Sequence, residues 1–181
     1  MKKRIIEPYP LIAPLPPIIA SVACESSGDN LITLAWAGVV ASEPPHVGIG
    51  VRRDSRFSHH ILLENGEFGI NIAGESMISA VDICGTRHGD QMDKWEAASL
   101  SRMKASIISV PLIEEFPINL ECIVRNVVEV GSHDYFIGEV VATHIDESLL
   151  VDNRLDCELF KPLAYIPGSG CYRGLRSGDL K

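Results

Sequence analysis

The chain has 181 residues, 46 % of them hydrophobic and 22 % charged, a composition that belongs to a folded globular domain and excludes a disordered chain. Sixteen basic against 24 acidic residues leave a formal charge of −8. That balance argues against nucleic acid or an anionic membrane as partner, since both need a broad cationic face, but it leaves room for a small basic pocket holding one phosphate.

The length predicts one domain over 1–181. Lys2, Lys3 and Arg4 precede Ile5 and Ile6 as a leader peptide would, but Glu7, Pro8, Pro10, Pro14, Pro16 and Pro17 interrupt any apolar region. No run reaches the ~18–20 apolar residues of a spanning helix, so the expectation is a soluble, cytoplasmic protein. Residues 1–17 read as a proline-rich extended arm that lies across a partner surface.

Ile18–Cys24 is short and β-branched, and ends in a Gly, Ser, Asp and Asn turn. Leu31–Ala41 follows as a second strand, making a hairpin with the first. Pro44-Pro45 stops it, and His46–Arg52 is a third strand carrying Gly48 and Gly50 on one face; glycine inside a strand marks the close approach of a ligand or backbone. Ser55–Asn65 reads as a helix, with Ser55 as N-cap and Asn65-Gly66 as its stop. Phe68–Ile72 is a strand and Glu75–Cys84 a second helix ending at Gly85. Thr86–Ser106 is mostly loop with short helical turns, and Ile107–Val110 a strand stopped by Pro111. Ile118–Val130 and Tyr135–Asp146 flank Gly131-Ser132-His133-Asp134, the strongest hairpin signal in the chain. The tail from Phe160, with Pro162, Pro167 and several glycines, is loop-rich. Strands outnumber helices and do not alternate with them, which favours an antiparallel barrel over a doubly wound sheet.

Cys24, Cys84, Cys122, Cys157 and Cys171 are scattered, with no CxxC pair. They fit small core residues in a reducing compartment better than a disulfide framework or a zinc site. Rossmann, Walker A, HExxH and GxSxG signatures are absent from the sequence. His59-His60 lacks further metal ligands at matched spacing, and His133 falls in a tight turn, expected to be exposed.

Three stretches invite chemistry. Arg52-Arg53-Asp54-Ser55-Arg56 sets three guanidiniums where a strand gives way to a helix. It reads either as a solvated turn or as an anion-binding corner, because helix N–H groups and arginine forks both suit phosphate. Asn30–Gly38 combines small and β-branched residues with Thr33 and Trp36; it serves as plain core or as a wall for a planar ring. Gly85–Trp95, with Arg87 and Lys94, is either a surface loop or a cover over an anion.

The ordered set of Ile18–Cys24, Asp29-Asn30, Thr33–Trp36, Ser42–Pro45, Val47–Arg52, Arg53–Arg56, Glu67–Asn71, Asp93-Lys94, Leu120–Cys122 and Gly138–Val140 resembles the flavin reductase-like family of FMN-binding split barrels, which includes flavoredoxins. The resemblance spans roughly Pro17–Tyr172. It implies a mainly β fold, a six-stranded antiparallel split barrel with a few flanking helices, and non-covalent FMN near a homodimer interface. It places Asn30 in the turn leading to the ring site, and Thr33, Leu34, Ala35 and Trp36 along the isoalloxazine or ribityl chain. Val51, Arg52, Arg53, Ser55 and Arg56 would surround that chain and the phosphate. Asn71, Ala73 and Lys94 would complete the polar shell, and Tyr172 approach the flavin or the partner subunit. Lys94, taken as exposed, would stay charged and neutralise phosphate. The implied function is an NAD(P)H-dependent flavin reductase with NAD(P)H as a transient co-substrate. The alternative is a flavoredoxin-like electron-transfer protein that retains FMN and uses a protein electron donor or acceptor. No catalytic side chain and no metal is implied, because the hydride chemistry belongs to the flavin.

Overall fold

The computed structural model describes residues 1–156 and 158–175. Its main sheet has seven antiparallel strands: β1 Ile18–Cys24, β2 Gly28–Leu34, β3 Ala37–Ser42, β4 Pro45–Arg52, β5 Glu67–Ile72, and two long strands, Ile118–Val130 and His133–Ile145. Between β5 and the long pair lie two short strands, β6 Arg102–Met103 and β7 Leu112–Ile113, so the long strands are β8 and β9. Sheet order is β2-β1-β5-β8-β9-β4-β3. The two ends of that order, β2 and β3, are consecutive in the chain and separated only by Ala35 and Trp36. The sheet therefore curls on itself, and the Gly50 N–H donates to the Trp36 carbonyl at 2.7 Å at the seam.

This accounts for the strand count. The expected second strand, Leu31–Ala41, exists, but it breaks at Ala35–Trp36 so that one half pairs with β1 and the other with β4. Counting the halves separately gives seven strands instead of six.

Helix α1 spans Ser58–Asn65, three residues later than expected. Ser55 is not its cap: Phe57 holds the N-cap position, without a side-chain hydrogen bond, because a turn intervenes after β4. Gly66 ends the helix as expected, in the left-handed region at φ 70°, where only glycine is free of Cβ strain. Helix α2 is Ile78–Thr86, after a 3₁₀ turn at Glu75–Met77, and α3 is Lys94–Ala97. The Ile107–Val110 segment is bent rather than a strand. Its start is captured by Glu121, whose carboxylate accepts the N–H groups of Ser106, Ile107 and Ile108 at 2.7, 2.7 and 2.9 Å. Beyond β9 come β10 Leu150–Val151, β11 Arg154–Leu155, and a hairpin of β12 Leu163–Ile166 with β13 Cys171–Gly174 inside the tail expected to be loop.

Alternation along β1 and β2 divides the core in two. Ile18, Ala20, Val22, Ile32 and Leu34 face the barrel interior with Ile49, Val51, Phe68 and Phe136. Ile19 and Leu31 face the other way, under α2 and α3, with Val81, Cys84, Trp95 and Phe116. Each fully buried aliphatic or aromatic side chain contributes about 1.5–3 kcal/mol. Cys84 and Cys122 are buried and Cys24 and Cys171 half-buried, all four as free thiols, while Cys157 lies outside the described residues. Burial pushes the Cys84 thiol up to about 11 and the Cys122 thiol to about 12, so both stay protonated and unreactive. His59 packs against Phe136 and meets Asp134 at 2.7 Å, while exposed His60 meets Ser27 at 3.0 Å.

The barrel interior leaves no room for a side chain at Gly138, where an added Cβ would lie 2.6 Å from Phe68 Cζ. Phe68 is fully buried and has nowhere to move. Gly138→Ala is expected to destabilise the fold by about 1–3 kcal/mol, read as a lower urea midpoint. An unchanged midpoint would mean that the barrel interior has slack.

Candidate functional site

The break in the second strand opens a cleft. Ala35 and Trp36 leave the sheet, and no side chain fills the space because Gly50 and Gly85 stand opposite. A Cβ on Gly50 would lie 3.1 Å from Trp36 Cβ, and one on Gly85 would lie 3.2 Å from Thr33 Cβ. The cleft has a volume of about 260 Å³, with walls that include Thr33, Leu34, Ala35, Trp36, Arg52, Arg56, Tyr165 and Tyr172. Thr33 is fixed by a 2.6 Å hydrogen bond from its hydroxyl to the Val81 carbonyl. Trp36 is 37 % exposed, too open for the plain core residue its sequence also admits.

Strand alternation settles part of the arginine corner. Gly50 and Arg52 line the cleft, whereas Val51, between them, is fully buried in the barrel core and offers no side chain to the site. Arg53 is drawn away: its guanidinium pairs with Glu129, donates to the Gly131 carbonyl and stands 3.7 Å from Asp134, all at the β8–β9 hairpin end. Arg56 turns inward, with Nη1 donating to the Gly85 carbonyl at 3.3 Å.

Arg56 also joins the cleft to a smaller polar corner, which it lines with Asn30, Ser55, Arg87, Gly89 and Lys94. Asn30 is buried and donates to the Ser58 hydroxyl at 2.9 Å. Gly89 packs directly on it, since an added Cβ would come within 2.4 Å of the Asn30 amide. The Gly85–Trp95 loop is thus a wall of the site. Asp93, the N-cap of α3, helps to hold it by accepting from the Trp95 N–H at 2.8 Å.

Lys94 is not exposed as expected. It is 4 % exposed, and its Nζ donates to the Leu31 and Cys84 carbonyls at 2.8 and 3.0 Å. Burial lowers its pKa to about 8, because a cation in a low-dielectric corner is costly.

Two other candidates lie elsewhere. Asn71 is fully buried and structural: it donates to the Ile19 carbonyl at 2.9 Å and accepts from the Ile113 N–H and the Asn119 amide. Ala73 is buried in the core beneath α2. Sequence reasoning missed Tyr165 and His133 as cleft residues. His133 is half-buried, pairs in register with Arg52 and meets the Ser132 hydroxyl at 2.8 Å through Nδ1. Its pKa is lowered by burial and then by Arg52 and Arg56. The turn signal was right, but the turn is two residues long, Gly131-Ser132, and His133 already belongs to β9.

Among the described residues Arg52, Arg56 and Arg87 form no ion pair. Arg52 and Arg56 line the cleft and Arg56 and Arg87 the corner beside it; unneutralised guanidiniums gathered there in a chain of charge −8 favour an anion.

A family model described as flavin reductase like domain matches residues 13–172. This chain belongs to the flavin reductase-like family. Its fold is that family's split barrel, and its chemistry is that of a flavin-related oxidoreductase. The flavoredoxin of Desulfovibrio vulgaris (Miyazaki F) is similar at 26 % identity, covering 99 % of this chain and 97 % of that one with a TM-score of 0.91. Nitrilotriacetate monooxygenase component B from Bacillus cereus is 26 % identical over 92 % of this chain and 87 % of that one, with a TM-score of 0.85. An FMN-binding protein from Thermus thermophilus, solved with bound 1-cyclohex-2-enone, is 26 % identical over 96 % and 95 %, with a TM-score of 0.80.

A flavin fits what this member of the family offers. The slot beside Trp36 is kept open by two glycines, and the anion corner carries cations without carboxylate partners.

Proposed function

We propose that this chain is a single-domain, cytoplasmic, homodimeric flavin reductase that binds FMN non-covalently and takes electrons from NADH or NADPH. The observation that supports it best is the adjacency, across Arg56, of two differently built compartments. The first is flat and partly apolar and suits an isoalloxazine. The second is small, about 10 Å³, and carries the cationic groups that suit phosphate oxygens. Thr33, Leu34, Ala35 and Trp36 orient the ring, and Ser55, Arg56, Arg87 and Lys94 hold the phosphate. When bound, FMN supplies the hydride chemistry. The chain binds, orients and shields, and no side chain is assigned as acid or base.

The test is anaerobic titration of the FMN-loaded protein with NADH and NADPH. Bleaching of the visible flavin band is expected with at least one of them. Retained flavin that neither nicotinamide bleaches would overturn the reductase reading in favour of a flavoredoxin-like carrier fed by a protein partner. The likeness to a flavoredoxin over nearly the whole chain supports that second reading.

Lys94 gives the site a pH dependence. With its pKa at about 8, the ammonium is present below that value and lost above it. FMN affinity is therefore expected to fall between pH 7 and 9, while binding at pH 9 takes up a proton. Lys94→Met should remove this dependence; an equal fall in that variant would place its origin elsewhere.

A homodimer is supported by unusual apolar exposure along β3 and the far end of β8. Val39 is 82 % exposed on β3, and Val127, Val128 and Val130 are exposed on β8. Side chains like these are commonly covered by a partner. Sedimentation should give a dimer, and Val39→Asp should shift it toward monomer. A wild-type monomer with full FMN affinity would refute a shared interface.

A further inference from the structure

A second cleft, of about 340 Å³, shares Tyr172 as a wall with the flavin cleft. Its other walls are Glu75, Ile78, Leu163, Arg173 and Gly174. None of the residues so far assigned to the phosphate corner reaches it. Leu163 is buried and Ile78 is 44 % exposed, so with the Tyr172 ring they make an apolar and aromatic surface. The Tyr172 ring is itself backed by Tyr165, at 5.5 Å between centroids.

Two opposite charges stand in this cleft without pairing. Among the described residues, neither the Glu75 carboxylate nor the Arg173 guanidinium forms an ion pair, with each other or with a third group. Among the described residues, Arg173 donates from Nη1 to the neighbouring Tyr172 carbonyl at 3.0 Å. Glu75 is anchored through its backbone, whose N–H donates to the Lys161 carbonyl at 2.9 Å. Its carboxylate lies so close over Gly174 that an added Cβ would come within 1.5 Å of Oε1. β13 therefore has to carry glycine there if the carboxylate is to keep its place.

An aromatic and aliphatic wall takes a flat heterocycle. A carboxylate accepts from a vicinal diol or an exocyclic amine, and a guanidinium takes a phosphate. Adenosine 5′-phosphate carries all three groups. We propose that this second cleft holds the adenosine 5′-phosphate half of the nicotinamide dinucleotide, with the nicotinamide half reaching the flavin past Tyr172. The inference rests on the reductase reading above. FAD carries the same adenylate, but attached at the flavin's phosphate end. In this chain that end lies with Arg87, which lines the anion corner, and not with Tyr172, which lines the ring cleft.

The test is binding, independent of turnover. AMP is titrated calorimetrically into the full-length, FMN-loaded protein, then again in the presence of NAD⁺ or NADP⁺. Saturable AMP binding is expected, displaced by at least one dinucleotide and weakened tenfold or more in Arg173→Ala and in Glu75→Gln. FMN uptake by each variant verifies that it is folded. Three outcomes overturn the proposal: no saturable AMP binding, binding that neither dinucleotide displaces, or variants that bind AMP like the wild type. Displaceable AMP binding in a protein whose flavin no nicotinamide reduces would instead overturn the reductase reading and leave the adenylate site standing.

Discussion

Replacing Arg56 and Arg87 together by alanine is expected to lower FMN affinity by two to four orders of magnitude. The two guanidiniums face one corner, and among the described residues no carboxylate neutralises either. A charge-assisted hydrogen bond to phosphate contributes about 1.5–3 kcal/mol, so two such residues contribute roughly 3–6 kcal/mol, at about 1.4 kcal/mol per decade. Quenching of FMN fluorescence on titration measures it. Arg53→Ala is the matched control. It removes the same charge one strand end away, from a side chain committed to Glu129 and the Gly131 carbonyl, and should leave affinity within a few-fold of wild type. Unchanged affinity in the double variant, or an equal loss in the control, would move the phosphate out of this corner.

Glu121→Ala is expected to cost about 3–5 kcal/mol of stability, the range for breaking a buried charged network from one side. The Glu121 carboxylate is fully buried. It accepts three consecutive backbone N–H groups and meets His144 Nε2 at 2.6 Å. Removing it strands those donors at the start of the 106–110 loop, where each unsatisfied group costs about 1–3 kcal/mol.

Burial would by itself raise the carboxyl pKa. The His144 contact and the three N–H groups outweigh it and hold the pKa at about 2. The folded value lies below the ordinary one of about 4.3. The contribution is therefore complete above that ordinary value and is lost as pH falls toward 2. Urea midpoints across pH 6 to 2 should fall steeply in the wild type and more gently in Glu121→Ala. Parallel profiles would mean that some other carboxylate governs acid sensitivity.

The same glutamate explains a misreading. Ile107–Val110 is β-branched and ends before proline, so its local pattern says strand. Its amides instead find a carboxylate from β8, 13 to 15 residues further along the chain, whose direction no periodicity reveals. Ser55 failed as a helix cap for a related reason, since the turn that follows β4 delays the helix to Ser58. Local preference proposes where an element can start, and the path of the preceding strand decides.

Much of the fold was nonetheless legible. Pairing of the two long strands followed from their length and the Gly-Ser turn, and β1, β4 and β5 from β-branched runs between breakers. The concentration of cations after β4 and in the Gly85–Trp95 loop was visible because it stands out against a net charge of −8. These are properties of short stretches, and short stretches carry them. The tertiary structure decided which arginine points where. Strand alternation runs out at Arg52, and Arg53 and Arg56 part according to where Glu129 and Gly85 happen to lie. It also decided that Lys94 is buried, that Asn71 is structural, and that the second strand splits at Ala35–Trp36. Each of these depends on neighbours brought together only when the sheet closes, and a barrel's closure is a property of all its strands at once.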